Sequence, residues 1–405
     1  MSRKLKSAAG NQDAKPALTP KLRFPEFRDA PAWEEKTLET RGKFTGGGTP
    51  SKENATHWTG EIPWVSSSDI SEDSISEIKI TRFITEEAIR ESATKIVPAN
   101  SILLISRVGV GKLAVTTKPI CTSQDFTSFT PAEDDLLFLA YFLKRHKETL
   151  HSFNQGTSIK GFTKDNIASL ELGFPSCPEQ QKIASCLTTL DEVIAAQSQK
   201  LDALKTHKKG LMQQLFPHEG ETLPRLRFPE FQDAPAWEIQ PFKKLFSIGN
   251  GRDHKHLSKG NVPVYGSGGY MRSVDEHLYD GESVCIGRKG TINNPMFLTG
   301  KFWTVDTLFY THSFNECLPK FIYAIFQNIN WLKHNEAGGV PSLSKANIEK
   351  IEVAAPKPPE QQKIAECLTS LDELIAAQRA KLEALKTHKK GLMQQLFPSP
   401  TEVEA

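Results

Sequence analysis

The stretch PEQQKIASCLTTLDEVIAAQSQKLDALKTHKKGLMQQLFP at residues 178–217 decides how this chain folds, because it returns almost unchanged at 359–398. The two copies differ at six of forty positions and lie 181 residues apart. A shorter repeat opens each half, PKLRFPEFRDAPAWE at 20–34 and PRLRFPEFQDAPAWE at 224–238, whereas the segments between the repeats have diverged. The chain is therefore a tandem duplication, in which a repeated scaffold presents two different surfaces.

Both long repeats are predicted to be helices. Gln197 and Lys208 interrupt an otherwise apolar seam, and Pro178 and Pro217 provide a good opening and a good stop. About 36 helical residues would form a rod of roughly 54 Å. The apolar positions of the first copy alternate in spacings of four and three, which places them on one helical stripe: 183, 187, 190, 194, 201, 204, 211 and 215.

Neither helix can bury this stripe alone, so the simplest arrangement pairs the two repeats with each other. Because one helix follows each variable block, antiparallel pairing would place the blocks at opposite ends and create a pseudo-two-fold axis. The alternative is a coiled coil with a second chain. The predicted fold class is α+β, with two mixed α/β domains of one fold separated by two long antiparallel helices.

The predicted domain limits follow from the repeats and from the short, Gly-bounded apolar runs between them. From about Pro98 onward the halves align at an offset of 181, which pairs Arg107 with Arg288. In order, the segments are a disordered arm at 1–19, a variable domain at 20–177, a helix at 178–217, a variable domain at 218–358, a helix at 359–398 and a tail at 399–405.

Composition bounds the function only loosely. The 405 residues carry a formal net charge of +2, and the six cysteines have no metal-ligand or CxxC spacing. No run of about 18 apolar residues occurs, and the N-terminus lacks the apolar region of a signal peptide. We therefore expect a cytoplasmic protein without a membrane partner, in which any nucleic-acid-binding face is local.

No motif of an active site is apparent. An adenine methyltransferase needs an Asp, Asn or Ser before Pro-Pro and an aromatic residue after it, and Lys357-Pro358-Pro359-Glu360 provides neither. The glycine-rich segment at 46–50 lacks the Lys and Ser/Thr of a phosphate loop. We expect no catalytic residue, no metal site and no cofactor in this chain.

The variable blocks do carry residues suited to reading DNA. Arginine can contact guanine bidentately, lysine can neutralise phosphates, and short polar side chains can contact base edges. For each residue the alternative is an ordinary surface charge or core aromatic. The candidates in the first block are Thr49, Ser66, Ser67, Ser68, Arg107, Lys112, Gln124, Lys160 and Lys164. Those in the second are Arg252, Lys255, Tyr265, Ser267, Tyr270, Arg288, Lys289, Trp303 and Lys345.

Two further sets of residues recur in both halves. Trp33 and Trp237 lie inside the opening repeats and are expected to anchor the core. A basic run in each long helix is usually a solvated face, but its repetition makes partner docking a competing interpretation. The candidate docking residues are Lys205, Lys208, Lys209, Lys386, Lys389 and Lys390.

Taken together, these segments resemble the specificity subunit of type I restriction–modification systems. The resemblance is carried by GGGTPSKE…HWTGEIPWVSSSDI at 46–70, ISRVGVGKLAVT at 105–116, TSQDF at 122–126 and the repeated helix that begins PEQQKIA. It covers nearly everything from about residue 20 to 398. The second half departs from the first where TSQDF becomes WTVDT, which implies a different target for that half.

The resemblance implies that each variable block is a target recognition domain reading one half of a split, asymmetric DNA site. The paired helices would set the unread gap and dock the partners. Two modification subunits would methylate adenine using S-adenosylmethionine, and two restriction subunits would use ATP and Mg²⁺ to translocate and cleave DNA.

Two hypotheses of other classes remain open from the sequence. A bivalent scaffold that binds proteins or glycans would show no salt-dependent affinity for DNA. A stand-alone DNA-modifying enzyme with a cryptic site would show activity as a purified single chain.

Overall fold

Both halves of the chain contain the same set of sheets. The computed structural model describes residues 18–153 and 161–398, and within them each half forms two four-stranded sheets and one two-stranded ribbon. The strands of the first half are β1 (Glu34–Thr37), β2 (Gly42–Gly46), β3 (Ile62–Val65), β4 (Arg82–Ile84), β5 (Ile96–Val97), β6 (Ser101–Leu104), β7 (Leu113–Thr116), β8 (Ile120–Thr122), β9 (Thr127–Pro131) and β10 (Glu171–Phe174).

The second half repeats this order of strands. Its strands are β11 (Glu238–Pro241), β12 (Ser247–Asn250), β13 (Lys259–Gly266), β14 (Gly269–Val274), β15 (Tyr279–Asp280), β16 (Ser283–Gly287), β17 (Met296–Leu298), β18 (Lys301–Thr304), β19 (Leu308–His312) and β20 (Glu352–Ala355). The sheets β2-β9-β6-β7, β4-β3-β8-β5 and β1-β10 correspond to β12-β19-β16-β17, β14-β13-β18-β15 and β11-β20. The prediction of two mixed α/β blocks with one fold is therefore confirmed.

One parallel strand pair in each half positions the candidate site. In the first half β3 runs parallel to β8, with Val65 opposite Thr122. In the second, β13 runs parallel to β18, with Tyr265 opposite Thr304. Because both strands of a parallel pair end at the same edge, the loops that follow them are brought together.

The helices include the two long rods predicted from the repeats. Each rod has 39 residues, or about 58 Å, and each begins one residue earlier and ends two residues earlier than predicted. No helix in the described part of the chain is both long and apolar enough to cross a membrane. The helices are α1 (Glu86–Arg90), α2 (Leu136–Arg145), α3 (Lys147–Ser152), α4 (Lys164–Ala168), α5 (Cys177–Leu215), α6 (Phe242–Leu245), α7 (Pro319–Asn328), α8 (Lys345–Lys350) and α9 (Pro358–Leu396).

The chain divides into two compact units whose limits differ from the blocks read along the sequence. Of the described residues, the first unit holds 18–153, 161–197 and 382–398, and the second holds 198–381. Each unit therefore contains one variable block and a part of each long helix. In the second unit the last half of α5 lies against the first half of α9, so the two helices run in opposite directions there.

The end of a long helix completes the core of each unit. Phe397, just after α9, stacks on Phe142 of the first unit with ring centroids 5.1 Å apart. Phe216, just after α5, lies 5.6 Å from Phe321 in the second unit. Burying a side chain of this size stabilises a core by about 1.5–3 kcal/mol, which explains why both helices end in the same Leu-Phe pair.

The opening repeat and the start of the long helix are the two sides of one contact. Arg23 donates to both carboxylate oxygens of Glu179 at 2.8 and 2.7 Å, and Trp33 donates its Nε1–H to Oε1 at 3.3 Å. In the second unit Arg227 and Trp237 contact Glu360 in the same way, at 2.8, 2.7 and 3.2 Å. Both tryptophans are buried, which confirms their predicted role as core anchors.

Candidate nucleic-acid interface

In the first unit, polar residues gather where the parallel strands β3 and β8 end. Ser123, just after β8, donates its backbone N–H to the carbonyl of Val65 at 2.9 Å. The hydroxyl of Thr49 donates to Oε1 of the exposed Gln124. The structure thus brings Thr49, Gln124 and the segment 66–68 to one edge, although they lie up to 75 residues apart in the sequence.

Glycine lets the first of these segments approach the others. A β-carbon at Gly47 would lie 2.0 Å from the carbonyl oxygen of Ser123, so no other residue fits there without movement of the backbone. The next residue, Gly48, donates its N–H to the carbonyl of Thr122 at 2.8 Å. The Gly-Gly-Gly run therefore places Thr49 against the end of β8.

The three serines that follow β3 are not equivalent. The hydroxyl of Ser66 donates to Asp69 at 3.0 Å and accepts from Arg82 at 2.7 Å, so it is occupied within the fold. Ser68 is exposed. Arg82 itself lies 4.6 Å from the Trp64 ring, in a cation–π contact; the sequence offered no motif that could have identified it.

Arg107 follows β6 and is exposed on a loop beside this edge. The preceding residue, Ser106, donates its N–H to the carbonyl of Asp125 at 2.8 Å, which fixes the loop next to the end of β8. Lys112 is half-buried and Lys164 is exposed at the first position of α4. Lys160 lies outside the described residues.

The second unit has a groove of about 710 Å³ at the corresponding edge. Val305, just after β18, donates its N–H to the carbonyl of Tyr265 at 2.9 Å, as Ser123 does to Val65 in the first unit. Exposed Lys255 and Tyr270 line the groove together with half-buried Ser267. The structure therefore brings these three predicted residues together.

The predicted equivalence of Arg107 and Arg288 is wrong by one residue. Ser106 and Arg288 share the same backbone partners: their N–H groups donate to Asp125 and Thr307, both at 2.8 Å, and their carbonyls accept from Phe162 and Leu343. The counterpart of Arg107 is therefore Lys289. The repeated helices align at an offset of 181, whereas these strands align at 182, because 36 residues separate Asp125 from Phe162 and only 35 separate Thr307 from Leu343.

The structure does not support the prediction that Trp303 contacts DNA, because its side chain is only 5% exposed. Its Nε1–H donates to the carbonyl of Arg252 at 2.9 Å, just as Trp64 donates to Gly48 at 3.0 Å in the first unit. Lys345 is also occupied within the fold, since its Nζ donates to the carbonyl of Ile248 at 2.8 Å.

Cations dominate the exposed surface around this second edge. Arg252, Lys255, Arg288 and Lys289 are all exposed, and the acidic residues beside them in the groove are Asp253 and Asp306. Among residues 18–153 and 161–398, no cluster of His, Cys, Asp and Glu could hold a metal ion. This arrangement of cations and small polar groups can bind phosphates and contact base edges.

Two of the six candidate docking lysines are buried inside the chain. Lys208 is 9% exposed and pairs with Asp372, and Lys389 is 8% exposed and pairs with Asp191. The structure does not support these two as docking residues, because each ammonium is buried and already paired with a carboxylate of the same chain. The other four, Lys205, Lys209, Lys386 and Lys390, are exposed.

Comparison with known proteins agrees with this geometry. The family model described as the type I restriction modification DNA specificity domain matches residues 32–206 and 236–387. The chain is 24% identical to the MjaIX specificity subunit of Methanocaldococcus jannaschii, over 92% of this chain and 94% of that protein. It is 33% identical to the EcoR124I/EcoR124II specificity subunit of Escherichia coli, over 39% of this chain and 41% of that protein.

The fold is shared with a solved structure of the same kind. The S subunit of a type I restriction–modification system from M. genitalium superposes with a TM-score of 0.65, covering 95% of this chain and 100% of that chain at 20% identity. Three features support the same family assignment: the duplicated sheets, the two long helices and the match of the family model to both halves. The chain belongs to this family, as the non-catalytic DNA specificity subunit of a type I restriction–modification system.

Proposed function

We propose that each unit reads one half of a bipartite, asymmetric DNA site, with 20–177 and 218–358 as the two recognition domains. The observation that carries this proposal is that both units build the same parallel-strand edge but present different residues on it. Thr49, Gln124 and Arg107 mark the edge in the first unit, whereas Lys255 and Tyr270 mark it in the second. Different residues on one scaffold would recognise different half-sites.

The chemistry of these residues suits direct contact with bases. An exposed glutamine can pair with adenine through its amide, and the hydrogen bond from Thr49 to Oε1 orients the amide of Gln124. Arg107 and Lys289 occupy the same backbone position in the two units, and both can contact guanine or a phosphate. Exposed Ser68 and half-buried Ser67 and Ser267 would add short polar contacts.

The long helices are proposed to set the unread gap between the half-sites and to dock two modification subunits. Their exposed lysines, Lys205, Lys209, Lys386 and Lys390, lie on the surface available to a partner. Two restriction subunits would complete the assembly. S-adenosylmethionine, ATP and Mg²⁺ would be bound by those partners, in the cytoplasm.

Half-site-selective variants test the proposal. Once the split site has been mapped, Arg107→Ala and Lys289→Ala complexes would be assayed for methylation of duplexes altered in either half. We expect each variant to lose about 1–3 kcal/mol of discrimination in one half only, with opposite halves for the two variants. Arg107→Lys, which retains the charge, is the control for phosphate contacts. Equal losses in both halves would contradict the assignment of one half-site to each unit.

A further inference from the structure

A charged groove of about 470 Å³ lies in the first unit, away from the strand edge described above. The end of α2 contributes Lys144 and Arg145 to its lining, and the last turns of α9 contribute Lys386, Lys390 and Met393. Ile194 of α5 adds a second apolar side chain. The groove therefore combines cations with an apolar surface, between helices that are proposed to dock partners.

Two of these cations, Lys144 and Arg145, form no direct ion pair with another described residue. No hydrogen bond or ion pair reaches Nζ of Lys144 in the described part of the chain. Burial, reinforced by the charge of Lys389 and only partly offset by Asp191 and Asp73, lowers its pKa to about 8. The Nε atom of Arg145 is buried without a hydrogen-bond partner in the same part of the chain. Withdrawing cations from water without a partner costs free energy. Both groups would be stabilised by an anion entering the groove.

Two acidic residues of the groove are already paired with other lysines. Glu72 accepts from Nζ of Lys147 at 2.7 Å, and Asp191 accepts from Lys389. Asp73 and Glu148 also line the groove, but neither forms a hydrogen bond or ion pair with Lys144 or Arg145 in the described structure. The charges of Asp191 and Asp73 therefore offset only part of the cost of burying Lys144, and a further anion from outside this unit would stabilise it.

The second unit differs at the two decisive positions. Asp135 donates its N–H to Gln180, and Leu318 donates its N–H to the equivalent Gln361, both at 2.9 Å. These matching bonds align α2 with α7. This alignment, at an offset of 183, places Gln327 at the position of Lys144 and Asn328 at that of Arg145. Oε1 of Gln327 accepts from Lys208 at 3.0 Å, so that amide is hydrogen-bonded within its own unit.

We propose that the groove of the first unit binds an acidic element of a docked modification subunit, whose carboxylates pair with Lys144 and Arg145. The proposal rests on the proposed docking function. A protein element is favoured over DNA phosphates because the groove also presents Ile194 and Met393, apolar side chains that suit a protein interface and offer nothing to a phosphate backbone. Because the second unit has amides instead, the two modification subunits are held with unequal affinity.

The test measures binding of the modification subunit of the same system to the full-length chain, by native mass spectrometry and calorimetry at increasing salt. The wild-type chain should bind two copies with different affinities. Lys144→Gln with Arg145→Asn should weaken the tighter site by about tenfold and remove much of its salt dependence. Gln327→Lys with Asn328→Arg should strengthen the weaker site. Lys79→Gln with Lys118→Gln, which removes two exposed charges from the first unit, should change neither.

Three other outcomes would overturn the proposal, and they separate it from the proposed function. Unchanged subunit affinity in the Lys144/Arg145 variant would reject the groove while leaving docking on the helices intact. A loss of DNA affinity with normal subunit affinity would assign the groove to DNA instead. Failure of the wild-type chain to bind any modification subunit would reject the docking function itself.

Discussion

The Nζ atom of Lys208 lies 2.6 Å from Oδ1 of Asp372, which ties α5 to α9 within the second unit. The first unit contains the equivalent pair, Lys389 with Asp191, with the roles of the two helices exchanged. Each residue of one pair lies 181 positions from its counterpart in the other. A polar residue at an otherwise apolar helix seam can specify register and direction at some cost in stability. The interruption of the apolar stripe at Lys208 is thus an element of helix pairing.

Removing this charge should destabilise the second unit measurably. Lys208→Ala leaves Asp372 without its cation, but that carboxylate is 45% exposed and water can replace part of the interaction. We expect a loss of about 1–2 kcal/mol, seen as a decrease of a few degrees in the melting temperature. Lys205→Ala, one turn earlier and exposed, is the control and should change it by no more than about 0.5 kcal/mol. Equal effects of the two substitutions would exclude a role for the seam ion pair.

Lengthening both helices should change the gap between the half-sites. One heptad inserted after Gln197 and another after Gln378 would preserve the apolar stripe and both ion pairs, while lengthening the rod by about 10 Å. At ~3.4 Å for each base pair, the gap should increase by about three base pairs with both half-sites unchanged. A heptad in one helix alone should disrupt pairing. Altered half-site sequences in the double insertion would refute the role of the helices as a ruler.

The two Arg–Glu–Trp contacts should act independently. Glu360→Gln leaves Arg227 almost buried beside a neutral amide and should cost the second unit about 3–5 kcal/mol. Arg227→Lys, with Glu360 kept, should also destabilise the second unit, because a lysine cannot form the bidentate contact. Hydrogen exchange would show faster exchange confined to the second unit, and Glu179→Gln is the matched variant for the first. Faster exchange in both units from either substitution would show that they unfold together.

Stability near pH 8 should depend on Lys144. Its folded-state pKa of about 8 is below the ordinary 10.5, so between these values the unfolded chain binds a proton that the folded chain lacks. Stability from this group therefore rises with pH across the window and is lost as pH falls through 8. Thermal unfolding would measure the free energy of unfolding of the wild type relative to Lys144→Gln. This difference should be about 1–3 kcal/mol more favourable to the wild type at pH 9.5 than at pH 7. A constant difference would contradict burial of this lysine.

The sequence was most informative where structure is local and repeated. The spacing of Ile183, Leu187 and Leu201 predicted the long helices, because helical periodicity depends only on neighbouring residues. The contact of Arg23 with Glu179 was not predicted, because it joins positions 156 residues apart. Burial of Lys208 was missed for the same reason, since its partner lies on the other repeat.

The candidate interface was predicted in outline but not in register. The segments containing Thr49, Gln124 and Ser267 were identified from their glycines and short polar residues, and the structure brings them to the strand edges. The offset that equated Arg107 with Arg288 came from the helices, where identity is high. Only the backbone hydrogen bonds of the strands reveal the one-residue shift, because the diverged side chains contain no such information.

A map of N6-methyladenine across the host genome, with and without this gene, tests the central claim most directly. The account predicts a split motif with two unrelated halves and a fixed gap that disappears when the gene is deleted and returns with the wild-type gene. In the returned gene, Lys289→Ala should relax one half of the motif only. An unchanged map, in a host whose modification subunit is expressed and active, would contradict the claim that this chain specifies where that subunit methylates DNA.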